Sequence, residues 1–199
     1  MKKNYDKILN AAIELMGKHG YHGTSVQMIA DKIGVTKSTI FHYFKNKEGI
    51  LFAILEDYIP SATKGFIQLA NDENINGIEK LKKFIRYHLN RVAETGDVLN
   101  LYLSESKYFG EENQEVIKKS QIEYAGLLQI IIRQIQKENS HIYKNLNPKI
   151  LANAILGMCN WAVMWYDEDG KLGTEGIAKQ FCELVLGNIS KNNRFLKYY

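Results

Sequence analysis

Proline and cysteine are scarce: the 199-residue chain holds two of each. So little proline leaves long stretches free to run as helix, and with fifteen glycines it excludes linker-like or collagen-like sequence. Cys159 and Cys182 cannot build a disulfide scaffold, and reduced thiols fit a cytoplasmic protein. No segment reaches the run of about 20 apolar residues that a membrane span needs. The most apolar stretch, Ile150 to Trp165, is interrupted by Asn153 and Asn160 and reads as a buried helix. The basic start Met1-Lys2-Lys3-Asn4-Tyr5 lacks the apolar run and cleavage site of a signal peptide. Cytoplasm is therefore the expected compartment, with no membrane partner.

Catalytic constellations are lacking too. There is no G-x-S-x-G elbow and no P-loop, and Gly170, Gly173 and Gly176 stand three apart with no strand before them. Asp167 and Asp169 precede a glycine two positions too early for an EF-hand, so they read as a solvated acidic turn. His19 and His22 have no cysteine or acidic pair beside them to complete a metal site. The two cysteines lie on strongly apolar segments and read as buried structural thiols. These absences point away from an enzyme, and no cofactor or metal is expected.

What is present is a soluble, folded balance of 45% hydrophobic and 24% charged residues, with a net charge of +4. The surplus has an address. Residues 1–50 hold eight lysines against four acidic residues, and the rest of the chain carries eighteen of each sign. A basic block joined to a neutral body suggests a polyanion-binding module.

The pattern is helical nearly throughout, so the expected fold is all-α. Ile8, Ala12, Leu15 and Met16 form one stripe of a first helix from about Tyr5 to His19, capped by Gly20. Thr24 and Gln27 suggest a capping box opening a second helix, which Gly34 ends. Thr36 can cap a short third helix to about Phe44, and Asn46 a fourth, with Pro60 interrupting or kinking it. A domain boundary is placed there, giving residues 1–60 and 61–199. Further helices are expected over about 78–93, 98–108, 112–137, 148–166 and 174–190, with Asn147 and Thr174 as caps and a basic, aromatic tail from Lys191.

Two short helices joined by a tight glycine turn make a helix-turn-helix. The third helix is about 13 Å long, which fits a major groove. Its exposed face carries Thr36, Lys37, Ser38, His42 and Tyr43, while Ile40 and Phe44 turn towards the core. Such donors and a cation suit phosphate oxygens and base edges. The stretch Tyr21-His22-Gly23-Thr24-Ser25-Val26-Gln27-Met28-Ile29-Ala30, with Gly34 to Glu48, closely resembles the TetR-type DNA-binding domain over about the first 60 residues. The resemblance implies a helix-turn-helix from Ser25 to Phe44. Ser25 and Gln27 would then hold phosphates, Thr36, Lys37, Phe41 and His42 would face base edges, and Ser38, Tyr43 and Lys47 would grip the backbone. Phe41 departs from the tyrosine frequent in the family; it can touch a thymine methyl but donates no hydrogen bond.

The body has a likeness of its own. Ile155 to Tyr166, the Asp-Gly turn and the following helix resemble a TetR subgroup associated with fatty-acid and acyl-CoA metabolism. Met164 and Asp167-Glu168 stand where relatives often carry basic residues and an Arg-Pro, so this stretch lacks positive charge for CoA phosphates. The expected function is a transcriptional regulator of the repressor kind. It would bind a palindromic operator as a homodimer, through the helices 148–166 and 174–190, and be released by a small apolar effector. Tyr102, Asn160 and Trp161 are the candidate effector-lining residues among the body's many aromatics. Two other classes remain open at this point: a helical enzyme for an acidic substrate, and a protein that binds nucleic acid or membrane by charge alone. The body's zero net charge and the lack of a nucleophile–base pair argue against them.

Overall fold

The computed structural model of the protein describes residues 2–187, which form eight α-helices and, among the described residues, no strand. They are α1 (Lys2–Gly23), α2 (Val26–Ile33), α3 (Lys37–Tyr43), α4 (Lys47–Asn71), α5 (Gly77–Glu105), α6 (Glu111–Glu138), α7 (Pro148–Trp161) and α8 (Thr174–Leu186). Single 3-10 turns follow α5 at Ser106–Tyr108 and α7 at Ala162–Met164.

Local signals set most boundaries. Gly20 breaks α1 at φ 74°, and Gly34 closes α2 in the left-handed region at φ 69°. The Thr36 side chain caps α3 by accepting from Thr39 N, and Asn46 Oδ1 accepts from Gly49 N at 2.8 Å. Asn147 caps α7, with Pro148 as its first residue. The non-helical residue inside α5 is Thr95, within the gap expected between the helices over about 78–93 and 98–108.

Other local expectations need correction. Ser25, not Thr24, caps α2: its Oγ accepts from Met28 N, while Thr24 turns back to donate to Gly20 O. Gln27 donates forward to Asp31 at 2.7 Å, so no capping box forms. Pro60 lies inside α4 without ending it, and Thr63 donates back to Ile59 O one turn along. α7 stops at Trp161 and gives way to a tighter turn, well before residue 166. α8 starts from Gly173 with no side-chain cap, so Thr174 is its first residue and not its cap. It ends at Leu186, and residues 188–190 and the tail lie outside the described residues.

The helices gather into two compact units. One joins the described residues up to Gly65 with Thr95–Ile122; the other joins Phe66–Glu94 with the described residues from Glu123 onward. The first is centred on Ile8, Ile29, Ile40, Ile50, Leu51 and Leu55, with Val98, Leu101, Phe109 and Ile117 packed in from later in the chain. The second buries Phe66, Leu81, Phe84, Ile85, Leu128, Ile131 and Ile135. Cys159 is buried there and Cys182 half-buried; neither is in a disulfide. Burial pushes the Cys159 thiol up to about 12, helped by the neighbouring Cys182, whose thiol is raised as well. Among the described residues no helix is long and apolar enough to cross a membrane.

Candidate functional site

The helix-turn-helix is held from behind. Ile40 is fully buried and Phe44 nearly so, which fixes the rotation of α3 and turns its opposite side outward. Ser25, Gln27, Thr36, Lys37, Ser38, Phe41 and His42 are all exposed, and Tyr43 and Lys47 are half-buried. Lys37 and Phe41 stand one turn apart, as do Ser38 and His42, so the four form two adjacent rows on α3. Phe41 is 48% exposed. Tyr43 leans towards α1, its ring edge-on to Tyr5 at 6.3 Å. Ser25 and Thr36 have their oxygens committed to helix capping; the Ser25 hydroxyl hydrogen can still turn to a phosphate, while the Thr36 hydroxyl also shares a hydrogen bond with the Thr39 hydroxyl at 3.0 Å.

Lys47 sits differently from what its charge alone suggests. Its ammonium donates to Tyr21 O at 2.7 Å and Thr24 O at 2.8 Å, and lies 4.2 Å from the centre of the Tyr21 ring. It thus braces the turn between α1 and α2 from the first residue of α4. Burial lowers its pKa, and the Glu105 carboxylate acts against that. Glu48, the next residue, accepts from Gly110 N at 3.1 Å and from Asn113 at 3.4 Å, tying the start of α4 to the start of α6. His22 lies 3.5 Å from Glu105. Neither the brace nor this tie is visible in sequence spacing.

The three effector candidates do not share one compact unit. Tyr102 belongs to the first, where burial pushes its phenol up to about 12 against a hydrogen bond from Gln121. Asn160 and Trp161 belong to the second. Trp161 is 64% exposed on α7. Asn160 Oδ1 is 2.9 Å from Nε2 of His88, a residue only 6% exposed, whose Nδ1 is 2.9 Å from the Tyr124 hydroxyl. Burial drives the His88 pKa down to about 4. His88 and Tyr124 were not singled out as site residues by the sequence. A separate cleft of about 320 Å³ is lined by Trp165, Leu172, Ile177 and Phe181, among others, and none of the three candidates lines it. Among the described residues no cluster of His, Cys, Asp and Glu is arranged to hold a metal ion.

Residues 8–54 match the family model for bacterial regulatory proteins of the tetR family, and residues 74–189 match the tetracyclin repressor-like C-terminal domain. The fatty acid metabolism regulator protein of Bacillus subtilis (strain 168) is 27% identical over 194 residues, spanning 94% of this chain and 96% of its own. The transcriptional repressor KstR2 of Mycolicibacterium smegmatis is 22% identical over 187 residues, spanning 94% and 91%. The crystal structure of AibR in complex with isovaleryl coenzyme A and operator DNA aligns at a TM-score of 0.82 and 27% identity, over 92% of this chain and 97% of that one. The chain belongs to the TetR family of bacterial transcriptional regulators, DNA-binding proteins that act as dimers and answer to small effectors, and it is no enzyme.

Proposed function

We propose that the protein is a cytoplasmic repressor that holds a palindromic operator as a homodimer and leaves it when a small apolar effector of fatty-acid or acyl-CoA type binds. The observation that carries the DNA half is the outward side of α3, where Lys37, Phe41 and His42 stand exposed on a helix anchored behind by Ile40 and Phe44. In this reading residues 1–60 are the reading head. Thr36, Lys37, Phe41 and His42 meet base edges, and Ser25, Gln27, Ser38 and Tyr43 meet the backbone. Lys47 joins them with the one N–H left after its two carbonyl bonds.

Residues 61–199 carry effector binding and dimerisation. Dimerisation through α7 and α8 is supported by apolar side chains that this chain alone leaves bare: Ile150 at 71% and Leu184 at 72% exposure, both in the second compact unit. The effector class is supported by the fatty acid metabolism regulator and by the isovaleryl coenzyme A bound to AibR. Asn160 and Trp161, both of the second unit, remain its proposed contacts. An effector releases DNA only to the extent that it binds the released arrangement more tightly.

Selection of bound duplexes from a random pool tests the DNA half. Wild type should return a palindromic motif, and His42→Ala should change its base preference. An unchanged motif would remove His42 from base reading. Native mass spectrometry of protein purified from its source host tests the effector half, because a retained acyl compound is the expected mass.

A further inference from the structure

The second unit contains a polar chain that packing alone does not account for. His88 of α5 is sealed from solvent, yet both ring nitrogens are occupied: Nδ1 by the Tyr124 hydroxyl and Nε2 by Asn160 Oδ1, each at 2.9 Å. An amide oxygen only accepts, so Nε2 carries the ring proton. Nδ1 is then an acceptor, and the Tyr124 phenol donates to it. Every proton therefore points the same way, from Tyr124 through His88 to Asn160. The surroundings are aromatic: Phe66 stacks on Phe84 at 4.2 Å and meets Tyr87 and Tyr124 edge-on at 4.7 and 5.1 Å. In such a setting the imidazole stays neutral, and the chain keeps its direction over the physiological pH range.

The chain does not close on itself. Asn160 is half-buried, and its oxygen is spent on His88. Its amide N–H2 has no hydrogen-bond partner among the described residues. At a half-buried residue that end of the amide can be reached from outside the protein. The relay fixes the amide plane and leaves only its donor end available. A fixed donor at the end of a relay packed among aromatic rings suits an apolar molecule that carries one oxygen acceptor.

We infer that the Tyr124–His88–Asn160 relay is the polar end of the effector site, where the Asn160 amide donates to the carbonyl oxygen of an acyl group. This rests on the apolar-effector reading above and adds the atom by which the acyl group is recognised. His88 and Tyr124 are positioning residues, because they act through Asn160.

The test compares butyryl-, decanoyl- and palmitoyl-CoA with the S-alkyl-CoA thioethers, in which the carbonyl is a methylene. Binding to the full chain is measured by titration calorimetry. Wild type should bind the favoured thioester about tenfold more tightly than its thioether. Asn160→Asp keeps the oxygen that accepts from His88 and removes the donor, so it should bind the two alike. A wild type without preference, or a variant that keeps it, overturns the inference while leaving the acyl-effector reading intact. Failure of every thioester and thioether to bind overturns that reading, and the inference with it. Nitrogen-15 NMR of His88 in wild type supplies a readout independent of the variant. Nε2 should be the protonated nitrogen, and its signal should move with thioester and not with thioether. A proton on Nδ1, or a response to both compounds alike, would also overturn the relay.

Discussion

At the scale of single residues, Lys47 shows how one side chain serves two ends. Its ammonium satisfies two carbonyls of the turn before α2, so removing it leaves those groups short of a donor and the turn less fixed. Lys47→Ala should therefore weaken binding to operator and random DNA alike, and reduce the dependence of log affinity on log salt by about 1. Fluorescence anisotropy across a salt series reads both quantities. An unchanged affinity and slope would leave Lys47 as the brace alone. His88 gives a second prediction, with a definite sign. Its pKa falls from 6.5 to about 4 on folding, so the unfolded chain takes up a proton that the folded one refuses. The stability contributed is complete above pH 6.5 and is lost as pH falls towards 4. Urea unfolding should show about 2 kcal/mol less stability at pH 5 than at pH 7 from this group, and His88→Phe should remove that component.

At the scale of elements, the features legible in the sequence are the local ones. Gly20, Gly34, Thr36, Asn46 and Asn147 each act on backbone within a few residues, and each marks a boundary where the spacing places it. The expectations that failed were also local but had competitors. Ser25 and Thr24 both offer a hydroxyl to the start of α2, and the carbonyl freed at Gly20 draws Thr24 away. Gly173 takes the cap position at α8 simply by its backbone. Pro60 is accommodated because an interior proline costs a bond and a clash, and burial along the rest of a long helix outweighs that. Where α5 begins, no motif warns of the constraint at Gly77. A methyl there would lie 2.7 Å from Ile135 Cγ1 and 2.8 Å from Ile135 N, both on α6, and the Gly77 N–H also donates to Glu138. Gly77→Ala should cost about 1–3 kcal/mol through forced separation of α5 and α6, seen as a lowered melting temperature.

At the scale of the whole molecule, charge and motif both lie in the first quarter of the chain, which is why the sequence suggests a reading head there. It did not reveal that Thr95–Ile122 packs with the N-terminal helices, since that grouping rests on contacts far apart in the chain. The relay around His88 was hidden for the same reason, its partners lying 36 and 72 positions away. Dimerisation is also a property of the assembled surface. Replacing Ile150 and Leu184 together by glutamate places charge on exposed apolar positions without touching the core. Sedimentation velocity should then show monomer, and operator affinity should fall on the order of 100-fold as one head no longer assists the other. A dimer of undiminished affinity would move the interface elsewhere.

The two thiols have a practical consequence for following such motions. Cys159 and Cys182 are both held protonated by burial, and the protonated form is a poor nucleophile towards maleimide dyes. A cysteine introduced in place of exposed Ser38 would outpace them in labelling. The native chain is thus already a near-silent background for placing a single fluorophore on the reading helix.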